Sequence, residues 1–67
     1  MKPWTFSDAV RAALARGWTL DHVTGSHHVF KKKGVVQNLP IPRHRGTLRS
    51  GTQRAIMRIL GITPDQL

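Results

Sequence analysis

Hydrophobic residues near the start of the chain recur at the spacing of a helix. Four of them share one helical face while the charged residues lie off it: Phe6, Val10, Ala13 and Leu14. Thr5 or Ser7 can cap the first turn, and Gly17 suits the left-handed position that follows a helix C-terminus. The pattern predicts an α-helix over about residues 5–16.

The spacing then changes to the alternation that is typical of strands. Residues 18–24 are rich in aromatic and β-branched side chains, Gly25-Ser26 can turn the chain, and residues 27–33 alternate again. Phe30 is the expected core anchor of this second strand. His27, an odd number of residues away, is therefore expected on the sheet face away from the helices.

Glycine and proline mark the limits of the next segments. Lys33-Gly34 predicts a second tight turn, and residues 35–39 a third strand that ends at Pro40, because proline cannot donate to a strand ladder. Residues 41–46 are basic, and Pro42 within them and Pro40 just before them predict a loop.

The last hydrophobic stripe again has helical spacing, and it consists of Ile56, Ile59 and Leu60. Thr47 or Ser50 can cap this second helix, and Gly61 can close it. Residues 63–66 combine a capping threonine, a proline and a glutamine in the order that begins a further helical turn.

The predicted order gives an α+β fold, α-β-β-β-α, in which a three-stranded antiparallel sheet carries two helices on one face. This layout is double-stranded-RNA-binding-domain-like. The 67 residues are expected to form one domain, 1–67, with a small core. Cysteine is absent, which excludes disulfides and thiolate metal sites.

The charge balance narrows the class of partner. Eleven Lys and Arg against three Asp give a net charge of +8, which favours nucleic acid first and an acidic protein second. No apolar run of about 18 residues and no strongly amphipathic basic helix is visible, so we expect no membrane contact. The first residues lack the apolar region of a signal peptide, and a cytoplasmic location is expected.

Two consecutive histidines follow the Gly-Ser turn and precede a run of lysines. Imidazole can accept and then donate a proton near neutral pH, as RNA cleavage through the 2′-hydroxyl requires, and cations hold the phosphate. His27 is the predicted proton-transfer residue, and the sequence does not identify a second one. RNA-binding roles are predicted for Gly25, Ser26, His28, Lys31, Lys32, Lys33, Arg43 and Arg45.

Spacing alone also fits ordinary structural roles. A histidine pair is more often part of a plain strand, and His22 and His44 are more typical of surface or loop positions. Trp4 and Trp18 are expected to pack in or beside the core. No Cys or Glu accompanies the four histidines, so we predict no metal and no cofactor.

Two further functions fit the same composition. A non-catalytic RNA-binding module of the same fold would bind RNA with strong salt dependence and leave it intact. A basic interaction protein would bind an acidic partner without measurable affinity for RNA.

The order of short motifs resembles the HicA family of toxin ribonucleases over nearly the whole chain. The motifs are Gly17-Trp18, Gly25-Ser26-His27, Ile41-Pro42-Arg43-His44, Gly51-Thr52 and Gly61-Ile62-Thr63. Relatives often carry acidic or lysine-rich residues between His44 and Gly51, where this chain has arginines.

The resemblance implies a toxin of a type II toxin-antitoxin system that cleaves mRNA without a metal and arrests translation. It assigns the catalytic role to His27, with Gly25 beside it in the turn and His28 as the alternative. It also implies a HicB antitoxin that covers the active site, and it leaves open a contact with operator DNA through that antitoxin.

Overall fold

The computed structural model describes residues 2–63, and the order of elements confirms the α-β-β-β-α prediction. The elements are α1 (Phe6–Ala15), β1 (Thr19–Thr24), β2 (His27–Lys31), β3 (Leu39–Pro42) and α2 (Ser50–Leu60). The strands form one antiparallel sheet in the order β1-β2-β3. The helical turn predicted for residues 63–66 falls mostly on positions outside the described residues.

The first helix lies where its hydrophobic spacing predicts, and a reciprocal capping box fixes its start. The backbone amide of Asp8 donates to Oγ1 of Thr5 at 3.1 Å, and the amide of Thr5 donates to Oδ2 of Asp8 at 2.9 Å. Thr5 is therefore the capping residue among the two that the sequence offered.

The third strand is the main correction to the predicted fold. Residues 35–38 belong to the connection that follows the Lys33-Gly34 turn, and β3 runs from Leu39 through both prolines to Pro42. The backbone amide of Arg43 donates to the carbonyl of Ser26 in the β2 turn at 2.6 Å. Because successive residues of a strand point their amides to opposite sides, Pro40 and Pro42 lie at positions whose missing N–H would face away from β2.

The core lies between one face of the sheet and the two helices. Phe30, Leu39 and Ile41 are buried on that face, against buried side chains of both helices. Trp4 and Trp18 belong to the same core, as predicted. The full set of buried hydrophobic residues is Trp4, Ala9, Ala13, Trp18, Phe30, Leu39, Ile41, Leu48, Ile56, Met57, Leu60 and Ile62.

The second helix ends as predicted and begins differently. Gly61 closes it in the left-handed region at φ +75°, where a side chain would be strained. Arg49 occupies the capping position, and no side chain bonds to the free amides of the first turn, so neither Thr47 nor Ser50 acts as the cap. Within residues 2–63, neither helix has the length and hydrophobicity that crossing a bilayer requires.

Candidate functional site

His27 is the first residue of β2 and follows a tight turn directly. Gly25 has a φ of +58°, which a residue with a side chain rarely adopts, so the turn depends on glycine. The imidazole is exposed and lies on the opposite sheet face from Phe30, as the alternation predicts.

The second helix nevertheless reaches the same region of the surface. β3 is an edge strand, and α2 lies beside it, so a groove of about 240 Å³ forms between the two. His27, Pro40 and Pro42 line one side of this groove, and Thr52, Ala55, Ile56 and Ile59 line the other. His27 thus faces away from the core without being remote from the helices.

His44 lines the same cavity as His27. Pro42 pairs with His27 across the sheet, and His44 follows Pro42 by two residues. The cavity, about 280 Å³, is completed by Leu48, Arg49 and Thr52. The sequence predicts His44 only as a surface or loop histidine. Its neighbour across the sheet depends on the strand register of β2 and β3, which local spacing does not reveal.

His28 has a different environment from its neighbour. It is half-buried on the core side of β2, and its ring makes an edge-to-face contact with Phe6, with centroids 4.9 Å apart and an interplanar angle of 66°. Its Nδ1 atom is buried and has no hydrogen-bond partner. This environment is typical of a packing residue, and the buried Nδ1 atom is not accessible to a substrate.

The basic residues named from the sequence fall into two groups. Arg43 and Arg45 are exposed and lie in the loop that carries His44, close to the Gly25-Ser26 turn. Lys31 is at the other end of β2, about 13 Å from His27 at the usual rise per strand residue. Lys32 and Lys33 follow it into the next turn, so the lysine run and His27 do not form one cluster.

Few carboxylates balance the positive charge of the lysines and arginines. Asp8 bonds to Thr5 and lies 3.6 Å from Arg11, while Asp21 is 2.7 Å from Nδ1 of His22 and 3.7 Å from Lys31. Hydrogen bonding from Thr5 lowers the pKa of Asp8, and hydrogen bonding from His22 lowers the pKa of Asp21. The arginines of the His44 loop form no salt bridge within residues 2–63.

His22 therefore lies on the edge strand with its own acidic partner, away from the cavity of His27. In the described part of the chain, no three side chains of the His, Asp or Glu type gather closely enough to hold a metal ion.

Comparison with protein families agrees with this arrangement of motifs. The model of the HicA toxin of bacterial toxin-antitoxin systems matches residues 6–62, from the start of α1 to just beyond α2. The chain belongs to the HicA toxin family. A search of curated proteins gives no match. As a HicA toxin, the chain is one half of a toxin-antitoxin pair, so an antitoxin partner is implied.

Proposed function

We propose that this HicA toxin is an endoribonuclease that cleaves mRNA without a metal ion and arrests translation in the cytoplasm. The observation that carries the proposal is the shared cavity of His27 and His44, two exposed imidazoles beside arginines that form no salt bridge within residues 2–63. Membership of the HicA toxin family supports a toxic activity, and the +8 charge supports a polyanionic substrate.

Two imidazoles supply the proton transfers that the reaction needs. One takes the proton of the 2′-hydroxyl while O2′ forms a bond to phosphorus, and the other gives a proton to O5′ as the P–O5′ bond breaks. The products are a 2′,3′-cyclic phosphate and a 5′-hydroxyl end. His27 is the residue that the family resemblance assigns, and His44 is the second group that the sequence left unassigned.

The charge that builds up on the phosphate requires cations close to both histidines. Arg49 lines the same cavity, and Arg43 and Arg45 flank His44 along the chain. Among the described residues these guanidinium groups have no carboxylate in an ion pair, so they are free to hold phosphate oxygens. Gly25 and Ser26 supply backbone next to the site, and Lys31, Lys32 and Lys33 contact RNA farther along the strand.

The antitoxin is a HicB-like protein that covers this site. A surface with +8 net charge and few acidic residues selects a partner with an acidic face, which neutralises the charge and excludes RNA. Any contact with operator DNA is made through that antitoxin.

The test is cleavage of a purified mRNA in EDTA by the wild-type chain, His27→Ala, His44→Ala and the matched control His22→Ala. We expect His27→Ala and His44→Ala each to slow cleavage by at least about 100-fold, the usual size of a lost acid or base. His22→Ala should stay within about twofold, because His22 lies on the edge strand away from the cavity.

The end groups of the fragments provide a second readout. Cyclic 2′,3′-phosphate ends in EDTA support direct attack by the 2′-hydroxyl. Intact RNA that all four proteins shift equally on a gel would overturn the nuclease proposal and leave a non-catalytic RNA-binding module. Fragments that persist in His27→Ala would instead remove His27 from the mechanism.

A further inference from the structure

A second cleft adjoins the cavity of His27 and His44, on the side of the loop that faces α1. It has a volume of about 570 Å³, within the range of small-molecule sites. Phe6 and Ser7 of α1 form one wall, Arg43, His44 and Arg45 form the other, and Ser26 lies at the end. His44 therefore lines both cavities.

The loop that forms this wall is fixed at both ends. At one end, Arg43 donates its amide to the carbonyl of Ser26 at 2.6 Å. At the other, the amide of Leu48 donates to the carbonyl of Trp4 at 2.7 Å, and Thr47 bridges to Thr5. The cleft is thus a built part of the fold, since its walls are joined by backbone hydrogen bonds.

The chemistry of the walls suits one nucleotide. Arg43 and Arg45 form no salt bridge in the described part of the chain, so their charges are available to a phosphate. Phe6 is half-buried and lines the cleft, so its ring is within reach of a base that enters. The helix end itself is not the anion site, because Thr5 and Asp8 already cap one another there.

We propose that this cleft binds the nucleotide next to the scissile phosphate, and that this nucleotide must be unpaired. The inference rests on the proposed ribonuclease function, and it adds the substrate class. A base that enters the cleft and stacks on Phe6 cannot remain in a duplex. The strand would then run from the cleft past His44 into the cavity of His27.

The test measures binding alone, so that it is independent of cleavage. The probe is a fluorescent 2′-O-methyl oligoribonucleotide, which lacks the 2′-hydroxyl that attacks, used as a single strand and as a duplex with its complement. Anisotropy titrations compare the wild type with Ser7→Glu, which puts a negative charge in the cleft. Ala15→Glu is the control, because it adds the same charge at the exposed far end of α1, outside both cavities.

We expect the wild type to bind the single strand more tightly than the duplex. Ser7→Glu should weaken single-strand binding about fivefold, since a new negative charge would lie within contact distance of the phosphate. Ala15→Glu should change it by less than about twofold, because its charge lies at the opposite end of α1 from the cleft. An acidic residue in the first turn of a helix stabilises it, so a melting temperature at or above wild type will show that Ser7→Glu is folded.

A second pair of variants checks the phosphate contact. Arg45→Gln should reduce the slope of log affinity against log salt by about 0.7, the value for one phosphate of a single strand, and Arg16→Gln should leave it unchanged. Equal weakening by Ser7→Glu and Ala15→Glu, or equal binding of duplex and single strand, would overturn the cleft assignment. Neither outcome would alter the result of the cleavage assay with His27→Ala.

Discussion

His28 and Phe6 pack in an edge-to-face contact, and the Nδ1 atom of His28 is buried without a hydrogen-bond partner. An unsatisfied polar atom in this position destabilises the fold, so a side chain of similar size without one should be tolerated. We predict that His28→Leu raises the free energy of unfolding by about 1 kcal/mol. Urea unfolding monitored by circular dichroism measures this directly.

His22→Leu is the control, because it makes the same replacement on the exposed edge strand and should stay within about 0.5 kcal/mol. The His28→Leu variant also distinguishes His27 from His28 as the candidate for proton transfer. His28→Leu should keep RNA cleavage within about threefold of wild type. A loss comparable to that of His27→Ala would transfer the catalytic role to His28.

Gln53 joins the start of the chain to α2. It is 1% exposed, its Oε1 accepts from the amide of Trp4 at 2.8 Å, and its Nε2 donates to the carbonyl of Lys2 at 2.7 Å. We predict that Gln53→Ala lowers the free energy of unfolding by about 2–4 kcal/mol, because it leaves the buried backbone amide of Trp4 unpaired and opens a cavity. Thermal and urea unfolding provide the measurement.

Gln37→Ala makes the identical change at an exposed loop position, and it should have an effect below about 0.5 kcal/mol. Similar losses in both variants would show that the buried amide of Gln53 contributes no more than an exposed one.

Asp8 should make stability depend on acid pH. Hydrogen bonds from Thr5 lower its pKa in the folded protein below the ordinary value of about 3.9. The folded state therefore holds its proton less tightly than the unfolded state, so the stabilisation is complete above about pH 5 and is lost as the pH falls through the folded pKa. Asp8→Asn should flatten this part of the stability profile.

Unfolding midpoints measured from pH 2 to pH 7 will detect this difference. The variant and the wild type should converge at the acid end and diverge towards neutral pH. Parallel profiles, offset by the same amount throughout, would contradict a role for ionised Asp8 in the capping box.

The helices could be predicted from sequence because their signals are local. The Thr5 cap, the extent of α1 and the glycine after α2 each depend on a few neighbouring residues, and the structure confirms them. The placement of Leu14 in the predicted α1 stripe is wrong, because its side chain is exposed. The third strand could not, because Pro40 was interpreted as a stop. Whether a proline ends a strand depends on which side its nitrogen faces, and only the pairing of β3 with β2 decides that.

The candidate site divides in the same way. The exposed position of His27 after a glycine turn follows from local sequence. The closeness of His44 follows from the pairing of His27 with Pro42, which lie fifteen positions apart and meet only in the folded sheet. The lysine run seemed to belong beside His27, but strand geometry carries it to the far end of β2.

The loop anchored by Ser26 at one end and Trp4 at the other gives up its freedom of movement when the chain folds. The loop therefore loses little further conformational entropy when a ligand binds, and the ligand must make the conformational change that binding requires. On the proposed function, an RNA strand that crosses this surface has to bend to the shape of the protein. The preference of the protein among RNA sequences would then depend on how easily each sequence unstacks and bends, which is a property of the nucleic acid.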